Sequence, residues 1–238
     1  LRGSIVRKVA DPGEAAAVFA EALPVLDHPA AVAAVAGQPS PALAPAIIRW
    51  IETGAGLALS GQVSGLVTAP IAKAPLYEAG FKFPGHTEYL AELTAQAAYE
   101  GERGPVMMLA AGGLRTVLVT IHEPMAKVGP QLTAERIAHA GLVTAQALKR
   151  DFGIAAPRLV MAGFNPHAGE GGAIGREEID ALGPACAGLN AAGIACKGPQ
   201  PADTLFHAEA RARYDAVICM YHDQALIPVK MLDFWGGV

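Results

Sequence analysis

Cysteine is scarce in this chain, and the three present, Cys186, Cys196 and Cys219, are odd in number with no CxxC spacing. That argues for a reducing compartment and against a thiolate metal site. Charge is sparse as well, with 17% charged residues, a net charge of −4 and no basic stripe among the seven histidines and scattered cations, so neither nucleic acid nor a membrane surface is expected as a partner. No uninterrupted apolar run reaches the roughly 18 residues needed to span a bilayer. No secretory signal is visible, and the chain begins at Leu1 without a methionine. The expectation is a soluble, cytoplasmic protein. Internal repeats, low-complexity tracts and charge runs are absent too. Gly169-Glu170-Gly171-Gly172-Ala173-Ile174-Gly175 lacks GxGxxG spacing, and there is no GxxxxGK(S/T) phosphate loop, so a Rossmann domain is not supported. A serine hydrolase is disfavoured in turn, because no GxSxG elbow occurs and Ser4, Ser40, Ser60 and Ser64 lie away from sheet-top turns.

What is present is 238 residues with 52% hydrophobic content, enough for one large domain or two small ones with a sizeable core. Apolar runs alternate with alanine-rich helical stretches. Helices are expected over 14–26 (capped by Asp11, with Pro12 at the first position), 46–58, 71–79, 86–99, 133–150 and 177–192, and a short one is capped by Asp203-Thr204. Strands are expected at 64–69, 106–110, 116–121, 157–162, 194–197 and 216–220, the second and third forming an antiparallel hairpin. Such alternation implies an α/β fold with a mixed, mostly parallel sheet.

Three histidines share one context. His122, His167 and His222 each follow the carboxyl end of an apolar strand, where ligands bind in open α/β sheets. If these strands are parallel neighbours, or face one another across a cleft or a dimer axis, three imidazoles converge and could hold a divalent ion such as zinc with positions left open for substrate. Each histidine alone reads more readily as a hydrogen-bonded surface or core residue, and it is the three in a repeated context that favour a site. The segment Gly163-Phe164-Asn165-Pro166-His167-Ala168-Gly169-Glu170-Gly171-Gly172 is a strand-to-helix loop whose glycines allow close approach to a ligand. It also reads as a tight glycine loop with a solvated His and Glu.

Five ordered motifs make the pattern specific: Val67-Thr68-Ala69-Pro70-Ile71-Ala72-Lys73, Phe83-Pro84-Gly85-His86-Thr87-Glu88, Asn165 to Gly172, Gly198-Pro199-Gln200-Pro201-Ala202-Asp203-Thr204 and Met220-Tyr221-His222-Asp223-Gln224. Together they resemble the 4-hydroxythreonine-4-phosphate dehydrogenase family of pyridoxine 5′-phosphate (vitamin B6) biosynthesis, over most of residues 64 to 238. The resemblance implies two α/β/α domains of the isocitrate/isopropylmalate dehydrogenase type with the active site in the interdomain cleft. Residues 1–84 with 230–238 would form the first domain and 85–229 the second. It further implies a homodimer with a site shared between subunits, NAD or NADP, and one divalent metal (zinc, magnesium or cobalt) held by His122, His167 and His222, one of them from the neighbouring subunit. His86, Thr87 and Lys230 match substrate-binding positions. Asp203 and Asp223 are candidates for orienting ligands or relaying a proton, although Asp203 reads equally as a helix cap, and Lys73 reads as solvated. The implied reaction oxidises 4-phosphooxy-L-threonine to 2-amino-3-oxo-4-phosphooxybutanoate, which decarboxylates to 3-amino-2-oxopropyl phosphate.

The family's N-terminal GDPxGxGPE-type segment and its continuation after the last histidine motif, with an Asn and an Arg that bind substrate, do not occur in residues 1–238. A fragment, or a chain with its ends left out, is therefore expected. Ile121-His122-Glu123-Pro124 also replaces the family's Thr-His-x-Pro. The alternatives are a paralogous dehydrogenase of erythronate or threonate 4-phosphate or of a dihydrodiol carboxylate, and a non-catalytic module that binds a metal or a phosphate ester.

Overall fold

The structure, a computed structural model, describes residues 5–237. The chain divides into two compact units, 1–98 and 99–238.

In the first unit, β1 (Val6–Val9) pairs in parallel with β2 (Leu23–Leu26). Between them Asp11 accepts from the Gly13 amide at 2.7 Å and Glu14 reaches back to the Asp11 amide at 3.1 Å, a capping box that starts a turn at Pro12–Glu14 and α1 (Ala15–Val18). The helix expected over 14–26 thus stops at Val18. Pro24 lacks the amide a helix interior needs, and β1 offers its backbone to the 23–26 segment instead, beginning with the Leu23 amide on the Ile5 carbonyl at 2.8 Å. After a turn capped by Ser40 comes α2 (Ala44–Leu59), which buries Ala44, Ala46, Ile51 and Ala55. The stretch Pro41–Leu59 is long and apolar enough to cross a membrane. It is interrupted by Arg49, which donates to the Pro29 carbonyl at 3.1 Å, and by Glu52, which accepts from the Tyr89 hydroxyl at 2.7 Å.

The strand expected at 64–69 does not form. Among the described residues it has no partner strand, and Val67 is 98% exposed, so its apolar sequence has neither a ladder nor a core to join. Next come α3 (Lys73–Glu78), closed by Gly80, and α4 (His86–Leu93). The latter ends well before Tyr99, and Tyr89 anchors it on Phe81 and Phe83, with ring centroids 5.0 and 4.9 Å away.

The second unit is built on a five-stranded sheet of order β3-β4-β7-β5-β6: β3 (Met108–Ala111), β4 (Leu114–Leu118), β5 (Arg158–Ala162), β6 (Ala195–Gln200) and β7 (Ala216–Cys219). Only β3 runs antiparallel to its neighbour. It joins β4 through Gly112 and Gly113, at φ 53° and 81°, a two-residue turn in which both positions need positive φ. This is tighter than the five-residue connection read from the sequence. α5 (Met125–Gln131), α6 (Ala134–Arg150) and α7 (Gly183–Ala191) follow their strands, α7 being preceded by one turn of π-helix at Glu178–Leu182. Thr133 caps α6 by accepting the Arg136 amide at 3.2 Å. A short α8 (Ala208–Arg211) precedes β7, and α9 (His222–Leu232) follows it.

Every residue of β7 is buried, as a parallel strand covered on both faces requires. Val117, Leu159, Met161 and Ile218 pack under α6 and α7, through Ile137, Leu148, Leu182 and Leu189. Leu114, Leu118, Val160 and Val217 face Leu205, Tyr214 and the Ala225 and Val229 side of α9. The unit is therefore a three-layer α/β/α sandwich with a mixed, mostly parallel sheet. Its extent differs from the division expected at 84/85. Residues 86–93 belong to the first unit through Tyr89, whereas 230–232 end α9 and 233–237 follow it in the second, where that helix lies against β3 and β4.

Candidate active site

Strands β4, β7 and β5 lie side by side and point the same way, so their following loops emerge at one sheet edge. The β4–β7 ladder runs past the strands proper. The Val119 amide donates to the Cys219 carbonyl at 2.9 Å, and the Thr120 amide and hydroxyl both reach the Met220 carbonyl, at 3.2 and 2.7 Å. Two residues further on, the rings of His122 and His222 stand with centroids 5.5 Å apart at 45°. They line a cavity of about 410 Å³ with Ile121, Glu123, Pro124 and Tyr221. Burial raises the Tyr221 phenol above its ordinary pKa, which keeps it protonated near neutrality.

His222 opens α9, and its Nδ1 lies 2.7 Å from the Asp223 carboxylate. With a carboxylate at Nδ1, that nitrogen carries the proton and Nε2 presents its lone pair. Two imidazoles that each place a nitrogen about 2.1 Å from one ion have ring centres roughly 5 to 6 Å apart, and the observed pair meets that spacing. The donor set therefore fits two ligands of one divalent ion.

The third expected ligand is placed differently. His167 lies exposed in the turn Pro166–Gly172, whose residues His167 through Gly171 all have left-handed backbone: φ 53°, 52°, 81°, 44° and 64°. Such conformations cost non-glycine residues energy. The turn is held from below by Glu178, only 6% exposed, which accepts the Asn165 amide at 2.7 Å and its side-chain Nδ2 at 2.9 Å. Asn165 Nδ2 also donates to Glu177 at 2.7 Å, and this bond holds the Glu177 carboxyl below its usual range. Gly169 fits above Glu178 because a Cβ there would meet Glu178 Oε2 at 2.6 Å. Among the described residues no group of three His, Cys, Asp or Glu side chains is arranged to hold a metal. The fold thus joins His122 to His222 and leaves His167 outside any three-ligand group among the described residues.

Asp203 lies exposed in the turn Ala202–Thr204, which packs against the Pro166–Gly172 turn. It does not cap that turn, since the N-cap position is Pro201 and Thr204 Oγ1 bonds the Pro201 carbonyl at 2.8 Å. Lys230 sits in the last turn of α9 with Nζ 4.8 Å from the Phe234 ring centroid. Eight residues beyond His222, it is about 12 Å along the helix from the histidine pair. His86 and Thr87 open α4 in the first unit, and Lys73 Nζ lies 3.7 Å from where a Gly85 Cβ would stand. That proximity of Lys73 to the start of α4 is a feature the sequence reading left as solvent.

All three cysteines are free and buried, and burial pushes the Cys196 and Cys219 thiols well above their usual pKa, so neither supplies a thiolate. The Asn165–Glu178 pair and the buried Gln224 carried no role in the sequence reading, although Asn165 and Gln224 lie inside its quoted motifs.

Residues 4–238 match the PdxA family of pyridoxal phosphate biosynthetic proteins. The chain belongs to the PdxA family. A 4-hydroxythreonine-4-phosphate dehydrogenase of Caulobacter vibrioides is 71% identical over 236 residues, covering 99% of this chain and 71% of the relative. Among solved structures, the 4-hydroxythreonine-4-phosphate dehydrogenase of Klebsiella pneumoniae superposes with a TM-score of 0.84 at 35% identity, covering 98% of this chain and 68% of that one. A terephthalate 1,2-cis-dihydrodiol dehydrogenase of Burkholderia xenovorans LB400 superposes at 0.67 with 30% identity, covering 98% and 70%. PdxA relatives therefore include dehydrogenases named for more than one alcohol substrate.

Proposed function

We propose that this PdxA-family protein is a cytoplasmic 4-hydroxythreonine-4-phosphate dehydrogenase in vitamin B6 biosynthesis. It oxidises the secondary alcohol of 4-phosphooxy-L-threonine with NAD or NADP to 2-amino-3-oxo-4-phosphooxybutanoate, which loses CO₂ to give 3-amino-2-oxopropyl phosphate. The observation that carries the proposal is the His122–His222 pair at the sheet edge, in a chain 71% identical to a relative of that name. An isocitrate-dehydrogenase-like pair of domains with an interdomain cleft, and a homodimer whose second chain completes the site with His167, belong to the same proposal. Zinc, magnesium and cobalt all suit such a donor set.

A divalent ion bound there supplies Lewis acidity for ionising the alcohol and for charge that builds as CO₂ leaves, while the nicotinamide accepts the hydride. The chain's own groups do the rest. Asp223 holds the proton on His222 Nδ1 and so keeps Nε2 aimed away from it. Tyr221, protonated, can donate a hydrogen bond to a bound substrate without adding negative charge to the cavity. Asp203, exposed and free of capping duty, would take or return a proton at its carboxylate in this reading. His86 and Thr87, at the N-terminal end of α4 with Lys73 beside it, provide donors and positive charge for a phosphate, and Lys230 adds another cation.

The dihydrodiol dehydrogenase likeness favours one second reading, a dihydrodiol carboxylate substrate. NADH absorbance measured with 4-phosphooxy-L-threonine, erythronate 4-phosphate and a cis-dihydrodiol carboxylate decides between them. The highest kcat/KM is expected on the first, and a preference for either of the others refutes the assignment.

A further inference from the structure

Backbone pairing does not continue evenly across the catalytic edge. Between β4 and β7 it extends to Thr120 and Met220, and between β5 and β6 the Gly163 amide reaches the Gln200 carbonyl at 2.7 Å. Between β5 and β7 it ends at Met161 and Ile218. There a side chain takes over. Gln224, 7% exposed in the first turn of α9, donates from Nε2 to the Gly163 carbonyl at 2.7 Å, and its Oε1 accepts the Met220 amide at 2.7 Å. The two partners fix which end of the amide is which, since the carbonyl needs a donor and the amide an acceptor.

A continuous line of hydrogen bonds results: Thr120 to Met220, Met220 to Gln224, Gln224 to Gly163, Gly163 to Gln200. It crosses the ends of β4, β7, β5 and β6 in spatial order. His122 lies two residues beyond Thr120, His222 two beyond Met220, His167 four beyond Gly163 and Asp203 three beyond Gln200. We infer that Gln224 is a positioning residue that ties the Met220 end of β7, and so the His222 loop, to the neighbouring strand end at Gly163, and thereby fixes the geometry that the His122–His222 pair offers to a divalent ion and substrate. The inference rests on the proposed function. Removing the amide leaves a buried carbonyl and a buried N–H without partners, and the His222 loop is then free to shift relative to His122. Gln224→Glu keeps an acceptor for Met220 but sets an oxygen against the Gly163 carbonyl.

The test measures Zn²⁺ affinity of the 238-residue chain by competition with a chromophoric chelator, together with kcat and KM. Wild type is compared with Gln224→Leu, Gln224→Glu and the core control Leu148→Val, which trims a fully buried residue near the C-terminal end of α6, away from the loops. Both Gln224 variants should bind Zn²⁺ about 10- to 100-fold more weakly, with the loss in turnover falling mainly on kcat, while the control keeps wild-type affinity. If Gln224→Leu does not fold, Gln224→Glu decides alone. Wild-type affinity in a folded Gln224 variant overturns the positioning role and leaves the site assignment standing. A wild-type chain that binds no Zn²⁺ overturns both.

Discussion

Replacing Gly169 by alanine and, separately, Gly171 by alanine adds the same methyl group to two residues of one left-handed turn, at φ 81° and 64°. The backbone cost is comparable, about 1 to 2 kcal/mol for an L-residue held there. The surroundings differ. Nothing lies within 4 Å of a Cβ on residue 171, whereas a Cβ on residue 169 meets Glu178 Oε2 at 2.6 Å and the Gly175 carbonyl at 2.9 Å. Glu178 is buried and holds Asn165 through two hydrogen bonds, and hydrogen bonds to a charged group are worth about 1.5 to 3 kcal/mol each. Displacing that carboxylate by even a few tenths of an ångström weakens at least one of them. Gly171→Ala should therefore cost about 1 to 2 kcal/mol and Gly169→Ala about 3 to 5 kcal/mol. Urea unfolding followed by circular dichroism, with equal m-values confirming comparable end states, measures both. Equal destabilisation by the two substitutions would refute the claim that Glu178 braces the turn.

Asp215 accepts from the Arg158 amide at 2.8 Å and pairs with its guanidinium at 3.0 Å, which lowers the carboxyl pKa. A depressed folded pKa contributes stability that is present above the unfolded value near 3.9 and is lost as pH falls through the folded value. Asp215→Asn should thus be less stable than wild type at pH 7, and the two stability curves should converge on acidification, whereas a constant gap down to about pH 2 contradicts the linkage. Asp223→Asn, which removes the carboxylate from His222 Nδ1, should weaken Zn²⁺ binding roughly tenfold while leaving the melting temperature near wild type, because Asp223 is exposed. Unchanged affinity in a chelator competition contradicts its orienting role.

Much of the second unit is legible in the sequence because its signals are local. Residues 159–162 and 216–219 read as uninterrupted apolar runs, which is what central parallel strands require. Thr133, Glu135, Lys149 and Arg150 bracket α6 with a cap and dipole-compatible charges. The first unit is less legible. The run 14–26 has helical composition, yet β1 captures its second half, and the run 64–69 has strand composition but no neighbour. Both outcomes depend on partners distant in sequence, to which periodicity is blind. α9 has no counterpart among the helices expected from the sequence, and Pro228 lies inside it. At the site, the three histidines stand out by their place after strands. Which of them meet depends on strand order and on the left-handed turn at 167–171, and Gln224 matters only once β5 and β7 are adjacent.

The central claim, a metal-dependent site completed by a second chain, is tested most directly by subunit complementation. His122 and His222 meet within one chain, so in the proposed dimer His167 would come from the partner. His167→Ala and His222→Ala chains, each inactive alone, should regain roughly a quarter of wild-type NADH formation and Zn²⁺ stoichiometry when fully exchanged at equal amounts, since half the dimers are mixed and each of those carries one intact site. A mixture of His122→Ala and His222→Ala should regain none. Recovery in the second mixture with none in the first, or in neither, contradicts the account.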